Sequence, residues 1–217
     1  MTEALRLVVC GTDTDVGKTV VSALLVQGLG ATYWKPVQCG LEGGGDSDRV
    51  RELLELPSDR VLPEAYRLAA PVSPHWAAQQ EVLRIEETRL ALPAVSGPLV
   101  VETAGGLLVP LRLDWLQIDQ LRLWNLPVLL VARSGLGTLN HTLLSVEALR
   151  QRGLSLLGIV LNGPPHPNNA STLNALAGVP VLAQLPTLER LDRETLEAQW
   201  QLSGLGQHLQ LGPNLRP

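Results

Sequence analysis

Gly11-Thr12-Asp13-Thr14-Asp15-Val16-Gly17-Lys18-Thr19 lies between an apolar run, Leu5 to Cys10, and a segment, Thr19 to Leu29, whose apolar residues recur at helical spacing. The run reads as a buried strand and the segment as a helix with one face to bury. The nine residues therefore join a strand to a helix. At such a junction free backbone N–H groups and the positive end of the helix dipole converge on one point, which suits a polyphosphate. In this reading Lys18 neutralises the β- and γ-phosphates, the Thr19 hydroxyl reaches Mg2+, and the ligand is a nucleoside triphosphate. The general pattern G-x4-G-K-[ST] is missed by one residue, because counting back from Gly17 places Thr12, not Gly11, at its first glycine. Asp15 is an odd charge inside an anion-binding loop and calls for a cation to face. The plainer alternative is a helix N-terminus with Asp and Thr as caps; Val-Gly-Lys-Thr between strand and helix favours phosphate.

Working outward, Ala31 to Gln38 reads as a second strand that ends in Lys35-Pro36-Val37-Gln38-Cys39-Gly40. In open α/β sheets ligands gather beyond the carboxyl ends of strands, so Lys35 is placed to hang over the phosphate loop. As a surface lysine it would instead snorkel past Trp34. Gly43-Gly44-Gly45-Asp46-Ser47-Asp48 then delivers two carboxylates to a helix from Ser47 to Leu54. Helix capping is the expected role of Asp46 and Mg2+ ligation that of Asp48, since Mg2+ favours one or two carboxylates with phosphate oxygens and water. Pro98 to Val101 is a buried strand that ends in Glu102 and runs into Thr103-Ala104-Gly105-Gly106. A carboxylate there is the second expected Mg2+ ligand.

Between these blocks, Pro57 to Pro74 reads as loop and Ile85 to Leu92 as a helical segment. Further on, strands are expected at Val128 to Ala132, Leu154 to Asn162 and Val179 to Gln184. Helices are expected at Leu139 to Gln151, Leu173 to Ala177 and Leu188 to Leu202, with residues 205–217 a loosely held tail. The alternation argues for an α/β fold: one domain over residues 1–217, with a mostly parallel central sheet covered by helices on both faces.

Composition agrees with that class. The chain has 217 residues, a net charge of −4 and 45% hydrophobic residues, enough for one sizeable core. No basic excess points to nucleic acid, and no apolar run has the length of a membrane span. The N-terminus has no secretory pattern, so a cytoplasmic protein is expected. Cys10 and Cys39 provide neither a disulfide framework nor a spaced metal cluster. Phenylalanine is absent, which makes the expected core aliphatic.

The loop 11–19, Lys35-Pro36-Val37, Ser47-Asp48, Ser73-Pro74-His75, Glu102-Thr103-Ala104-Gly105-Gly106, Asn140-His141 and Asn162, in that order over about residues 5 to 190, resemble the dethiobiotin synthases. The resemblance implies a phosphate-loop ligase with a nucleotide-binding α/β fold. It implies formation of the ureido ring of dethiobiotin from 7,8-diaminopelargonate, CO2 and ATP with Mg2+, in biotin biosynthesis, by a homodimer. It makes Lys18 and Lys35 the two active-site lysines and assigns the metal to Thr19, Asp48 and Glu102. Nucleotide contacts fall to Asp13, Thr14, Asp15, Val16, Gly17, Lys18, Thr19 and Val20, with Asn162 at the adenine. Substrate contacts fall to Thr14, Asp15, Lys35, Cys39, Gly105 and Gly106, and to Leu139 and Asn140 of a partner subunit at the diamine's carboxylate. His141 is read as a packing or capping residue. Cys39 stands where many relatives have Ser or Thr, and Thr103 where glycine is more usual. A rival reading is a switch ATPase resembling the partition and division-site proteins, which carry a signature lysine where this chain has Asp13. An amide ligase of the cobyrinate type and a degenerate nucleotide-binding module are the others.

Overall fold

The computed structural model describes residues 4–210. β1 (Arg6–Gly11) leads through the phosphate loop into α1 (Lys18–Leu29), which stops at Gly30 in the left-handed region. β2 (Thr32–Trp34) and β3 (Val37–Cys39) follow, then α2 (Asp46–Leu54), β4 (Val61–Leu62), β5 (Tyr66–Leu68) and α3 (Pro74–Gln80). Next come β6 (Leu99–Gly106), β7 (Pro110–Arg112), β8 (Trp115–Leu116) and α4 (Gln117–Trp124). The chain continues with β9 (Val128–Arg133), α5 (Thr138–Gln151), β10 (Leu156–Asn162), α6 (Asn169–Leu176), β11 (Val181–Leu185), α7 (Arg193–Ser203) and α8 (Leu205–Gln210).

Seven strands form one sheet in the order β11-β10-β9-β1-β6-β2-β4, and all its neighbouring strands are parallel. The strand period of two divides their side chains between two cores. On one face Val8, Cys10, Leu99, Val101, Leu130 and Ala132 pack with residues of α3, α4, α5 and α6. On the other Leu7, Val9, Tyr33, Val100, Leu129 and Val131 pack with α1, α2, α7 and α8. The alternation continues past Val100, so Glu102 projects toward the α1 and α2 side. A wholly apolar strand thus carries one carboxylate to the sheet's carboxyl end, beside the loop that leaves β1.

Several boundaries differ from the sequence expectation. The stretch 31–38 is two strands in two sheets, because Pro36 has no N–H for the ladder; β3 leaves the main sheet and pairs with β5. The stretch 57–74 holds β4 and β5 as well as loop. Helix is found at α3 rather than over 85–92, where only a short 3-10 turn, Glu87–Leu90, forms. Pro74 at the first position of α3 is the start signal that reading passed over. α4 lies in a stretch that carried no expectation. Leu205–Gln210 is helical with Leu205 and Leu209 buried, so apolar burial holds this part of the expected tail; the remainder, 211–217, lies outside the described residues. Among the described residues no helix is long and apolar enough to cross a membrane.

Candidate functional site

Gly17 caps α1 with φ 94°, and no side chain caps the helix or places a carboxylate in its first turn. The first N–H groups of α1 are therefore left to an anion. A Cβ at Gly17 would lie 2.1 Å from Asn162 Nδ2, so both the backbone angle and the space require glycine. Gly17→Ala is expected to remove measurable nucleotide binding while the sheet stays folded; calorimetric affinity within a few-fold of the unaltered chain would contradict this. Asn162 Nδ2 donates to Val16 O at 3.2 Å, which ties the loop to the end of β10. Lys18 folds back across the loop and donates to Asp13 O at 2.9 Å. Asp13 turns its charge outward: its carboxylate accepts the Thr14 N–H at 2.8 Å and pairs with Arg133 at 2.8 Å. Asp15 is exposed at φ 55° and lines the main cavity.

That cavity, about 740 Å³, opens between the loop, α2 and the ends of β3 and β6. Its charged floor is built around Glu102, which is fully buried. Glu102 Oε1 accepts from Lys35 Nζ and from Thr19 Oγ1, each at 2.9 Å, and Oε2 accepts from Tyr33 Oη at 3.0 Å. Lys35 Nζ also pairs with Asp46 Oδ2 at 2.5 Å. Burial alone would lower the Lys35 pKa, but Glu102 and then Asp46 overcome it and raise it above the ordinary lysine value. Burial likewise opposes the Asp46 carboxylate, and Lys35 overrides it, holding the group below the usual carboxylate range. For Lys18 burial dominates, with Lys35 second, and its pKa is lowered. Tyr33 is pushed well above the usual phenol value by burial and by Glu102.

The two carboxylates of Asp46-Ser47-Asp48 are placed differently from the expectation. Asp48 sits at the third position of α2, where a side chain reaches back to the helix start: it accepts the Gly45 N–H at 3.1 Å and pairs with Arg51 and Arg67 at 2.9 and 3.1 Å. The Gly45 N–H leads the causes that lower its pKa. Asp48 thus caps α2 and is not part of the cavity wall. Asp46, at the first helical position, faces Lys35 instead, and its own N–H donates to Gln38 Oε1 at 3.0 Å. Gln38 is in turn fixed to Cys39 O and Gly40 O.

The expected residues Thr14, Asp15, Gly17, Lys18, Thr19, Val20, Lys35, Cys39, Glu102 and Gly105 share the cavity wall. Gly105 adopts φ 61°, and a Cβ there would meet Val109 at 2.8 Å. Asp13 and Gly106 face a second hollow, shared with Thr14 and Leu107 to Pro110, on the α5 side of the loop. Val16 is buried in the core, and Asn162 holds the loop from behind rather than lining the cavity. Leu139 and Asn140 lie at the start of α5, outside both hollows, with Asn140 exposed. Sequence reasoning missed Tyr33 and Gln38. Tyr33 could have been found as a hydroxyl in an apolar strand two residues before Lys35.

Thr19 hydroxyl with the Asp46 and Glu102 carboxylates is a hard-oxygen donor set around one end of a phosphate loop, and this fits Mg2+. No group of three or more His, Cys, Asp or Glu side chains suited to a metal occurs among the described residues. A cation here would accordingly complete its shell with phosphate oxygens and water.

A family model described as an AAA domain matches residues 5–195. The ATP-dependent dethiobiotin synthetase BioD of Rhodopseudomonas palustris strain BisB18 is 54% identical over 198 residues, covering 91% of this chain and 95% of that protein. The BioD of Novosphingobium aromaticivorans is 50% identical over 189 residues, covering 87% of this chain and 91% of its own length. Among solved structures, the cell division ATPase MinD of Pyrococcus furiosus aligns over 96% of this chain and all of that one, with a TM-score of 0.60 and 17% identity. Likeness at that identity concerns the fold: a parallel sheet with a phosphate loop after its first strand.

Proposed function

The chain belongs to the dethiobiotin synthetase family, and from that premise we propose that it forms dethiobiotin from 7,8-diaminopelargonate, CO2 and ATP, with release of ADP and phosphate. The observation that carries this reading is Lys35, a buried ammonium held between Glu102 and Asp46 on the wall of the cavity into which the phosphate loop opens. One substrate amine captures CO2 as a carbamate. A carbamate oxygen attacks the γ-phosphorus and ADP leaves; the second amine then attacks the carbamate carbon, closes the ring and expels phosphate. Carbamate and triphosphate repel each other strongly in a site of low dielectric. Lys35 offsets charge on the carbamate and γ-phosphate, Lys18 does so along the phosphates, and both act as preplaced groups. Thr19, Asp46 and Glu102 would hold Mg2+, which supplies further charge neutralisation on the phosphate oxygens when bound.

Asp15, on the cavity wall, accepts hydrogen bonds from a substrate amine, which makes its charge useful there. Gly105 and Gly106 let backbone approach the diamine. In the homodimer the start of α5 receives the substrate carboxylate of the other subunit; Gly137, its cap at φ 90°, leaves the first N–H groups without a side-chain cap or a nearby acid. Exposed Leu108, Leu136 and Leu144 beside that helix support a covered face. The catalytic unit is one domain, acting in the cytoplasm.

Cys39 is half-buried on the cavity wall, and burial pushes its thiol up to about 11. It is a neutral, weak hydrogen-bond donor at physiological pH. Cys39→Ser is expected to be at least as active as the unaltered enzyme under steady-state assay; complete loss of turnover would give the thiol a role of its own. The function itself is tested by phosphate release from ATP and Mg2+ with the diamine and bicarbonate each present or omitted, alongside mass detection of dethiobiotin. Release that needs both and equals dethiobiotin formed is the expected result. Release independent of the diamine would overturn it in favour of a switch ATPase.

A further inference from the structure

Arg49 is a cation on the wall of the main cavity to which the chemistry above gives no task. It lies on α2 between two other wall residues, Asp46 and Leu53, at the i, i+3, i+7 spacing of one helix face. The Asp46 end of that face meets Lys35 beside Thr19 and Glu102. The Leu53 end belongs, with Val20 and Leu191, to a partly buried apolar cluster that also lines the cavity. The face therefore runs from a charged floor suited to the terminal phosphates to an apolar wall suited to a nucleoside. Arg49 stands midway.

The charge balance of the wall gives that position weight. Asp15, Asp46 and Glu102 oppose Lys18, Lys35 and Arg49, so the lining is neutral although its ligand is a polyanion. Lys18 is engaged with Asp13 O, and Lys35 with both carboxylates. The Arg49 guanidinium makes no ion pair or side-chain hydrogen bond among the described residues, and the residue is exposed on the cavity wall. We propose that Arg49 is a nucleotide-binding residue whose guanidinium grips the α–β phosphate stretch. The inference rests on the nucleotide reading of this cavity and adds to it a phosphate contact supplied by α2 rather than by the loop. A planar fork of donors matches two phosphate oxygens at once, which an ammonium does not.

The test is calorimetric titration of the full chain and its Arg49→Ala and Arg49→Lys variants with ATP, ADP and adenosine, together with dethiobiotin formation at ATP concentrations up to saturation. Arg49→Ala should weaken ATP and ADP alike by about tenfold, leave adenosine unchanged and lower the salt dependence of ATP binding. Arg49→Lys should recover only part of the loss, and in Arg49→Ala the rise in KM for ATP should exceed any fall in kcat at saturating ATP. ATP affinity within twofold in Arg49→Ala would make Arg49 a solvated surface charge and overturn the proposal. Weakening of ATP without ADP would move the contact to the γ-phosphate and overturn its placement. Nucleotide bound by the unaltered chain without dethiobiotin formed would count against the ligase reading alone; no nucleotide bound at all would end both. Melting without ligand checks that each variant is folded, and Arg49→Lys carries the test if Arg49→Ala is not.

Discussion

Lys35→Ala is expected to reduce kcat for dethiobiotin formation by at least about 10²–10³-fold while the chain still folds and binds ATP. The magnitude is that of removing one preplaced donor from a group that gains charge during reaction. Lys35 lies on the extended link between β2 and β3, where Pro36 fixes the backbone. Its contribution is charge at a defined point rather than packing. Without the ammonium, Glu102 and Asp46 face each other across the cavity floor, although Glu102 keeps the Thr19 and Tyr33 hydroxyls. That arrangement costs about 3–5 kcal/mol of stability, as expected when one partner of a buried ion pair is removed. Nucleotide affinity is held mainly by the loop N–H groups and Lys18, so it should fall far less than turnover. Steady-state kinetics beside calorimetry separates the two, and a variant that turns over like the unaltered enzyme would remove Lys35 from the chemistry.

The sheet was legible because its strands are buried on both faces and therefore read as unbroken apolar runs closed by loop residues. Glu102 stood out for the same reason, as the first charge after Leu99-Val100-Val101. The placement of Asp46 and Asp48 could not be read from sequence. Both carboxylates open one helix, and only the backbone direction decides that the first faces the sheet while the third turns back to cap Gly45. Asn162 has a similar history: an amide at a strand end fits an adenine edge by chemistry, yet its Nδ2 is engaged by Val16 O. The split of 31–38 was carried by Pro36, whose missing donor is visible in the sequence but whose consequence, the transfer of β3 to a second sheet, depends on β5 thirty residues later. α4 was missed because Gln117, Asp119, Gln120 and Arg122 dilute its apolar stripe.

Glu102→Leu is expected to lose all measurable turnover and about 3–5 kcal/mol of stability in urea unfolding, the cost of removing one partner from a buried ion pair. The Thr19 and Tyr33 hydroxyls lose their acceptor, and the Lys35 ammonium loses one of its two carboxylate partners. Glu102→Gln keeps the shape and one carbonyl acceptor, so its stability loss should be nearer about 1–2 kcal/mol, with turnover lost almost as completely. The pH profile separates charge from shape. Lys35 has a folded pKa above its unfolded value of about 10.4, so its stabilising contribution is full below that value and is lost as pH rises through the folded one. Asp46 has a folded pKa below its unfolded value of about 3.9, so its contribution is present above that and is lost as pH falls through the folded one. The unaltered pair therefore holds across roughly pH 5 to 10. Glu102 is the larger of the two influences that lift Lys35 against burial. In Glu102→Gln the alkaline limb of stability should consequently move to lower pH, while the acid limb set by Asp46 persists as long as Lys35 stays charged. An alkaline limb that does not move would mean that Asp46 alone keeps Lys35 ionised, and that Glu102 is placed for the metal and the hydroxyls rather than for the lysine.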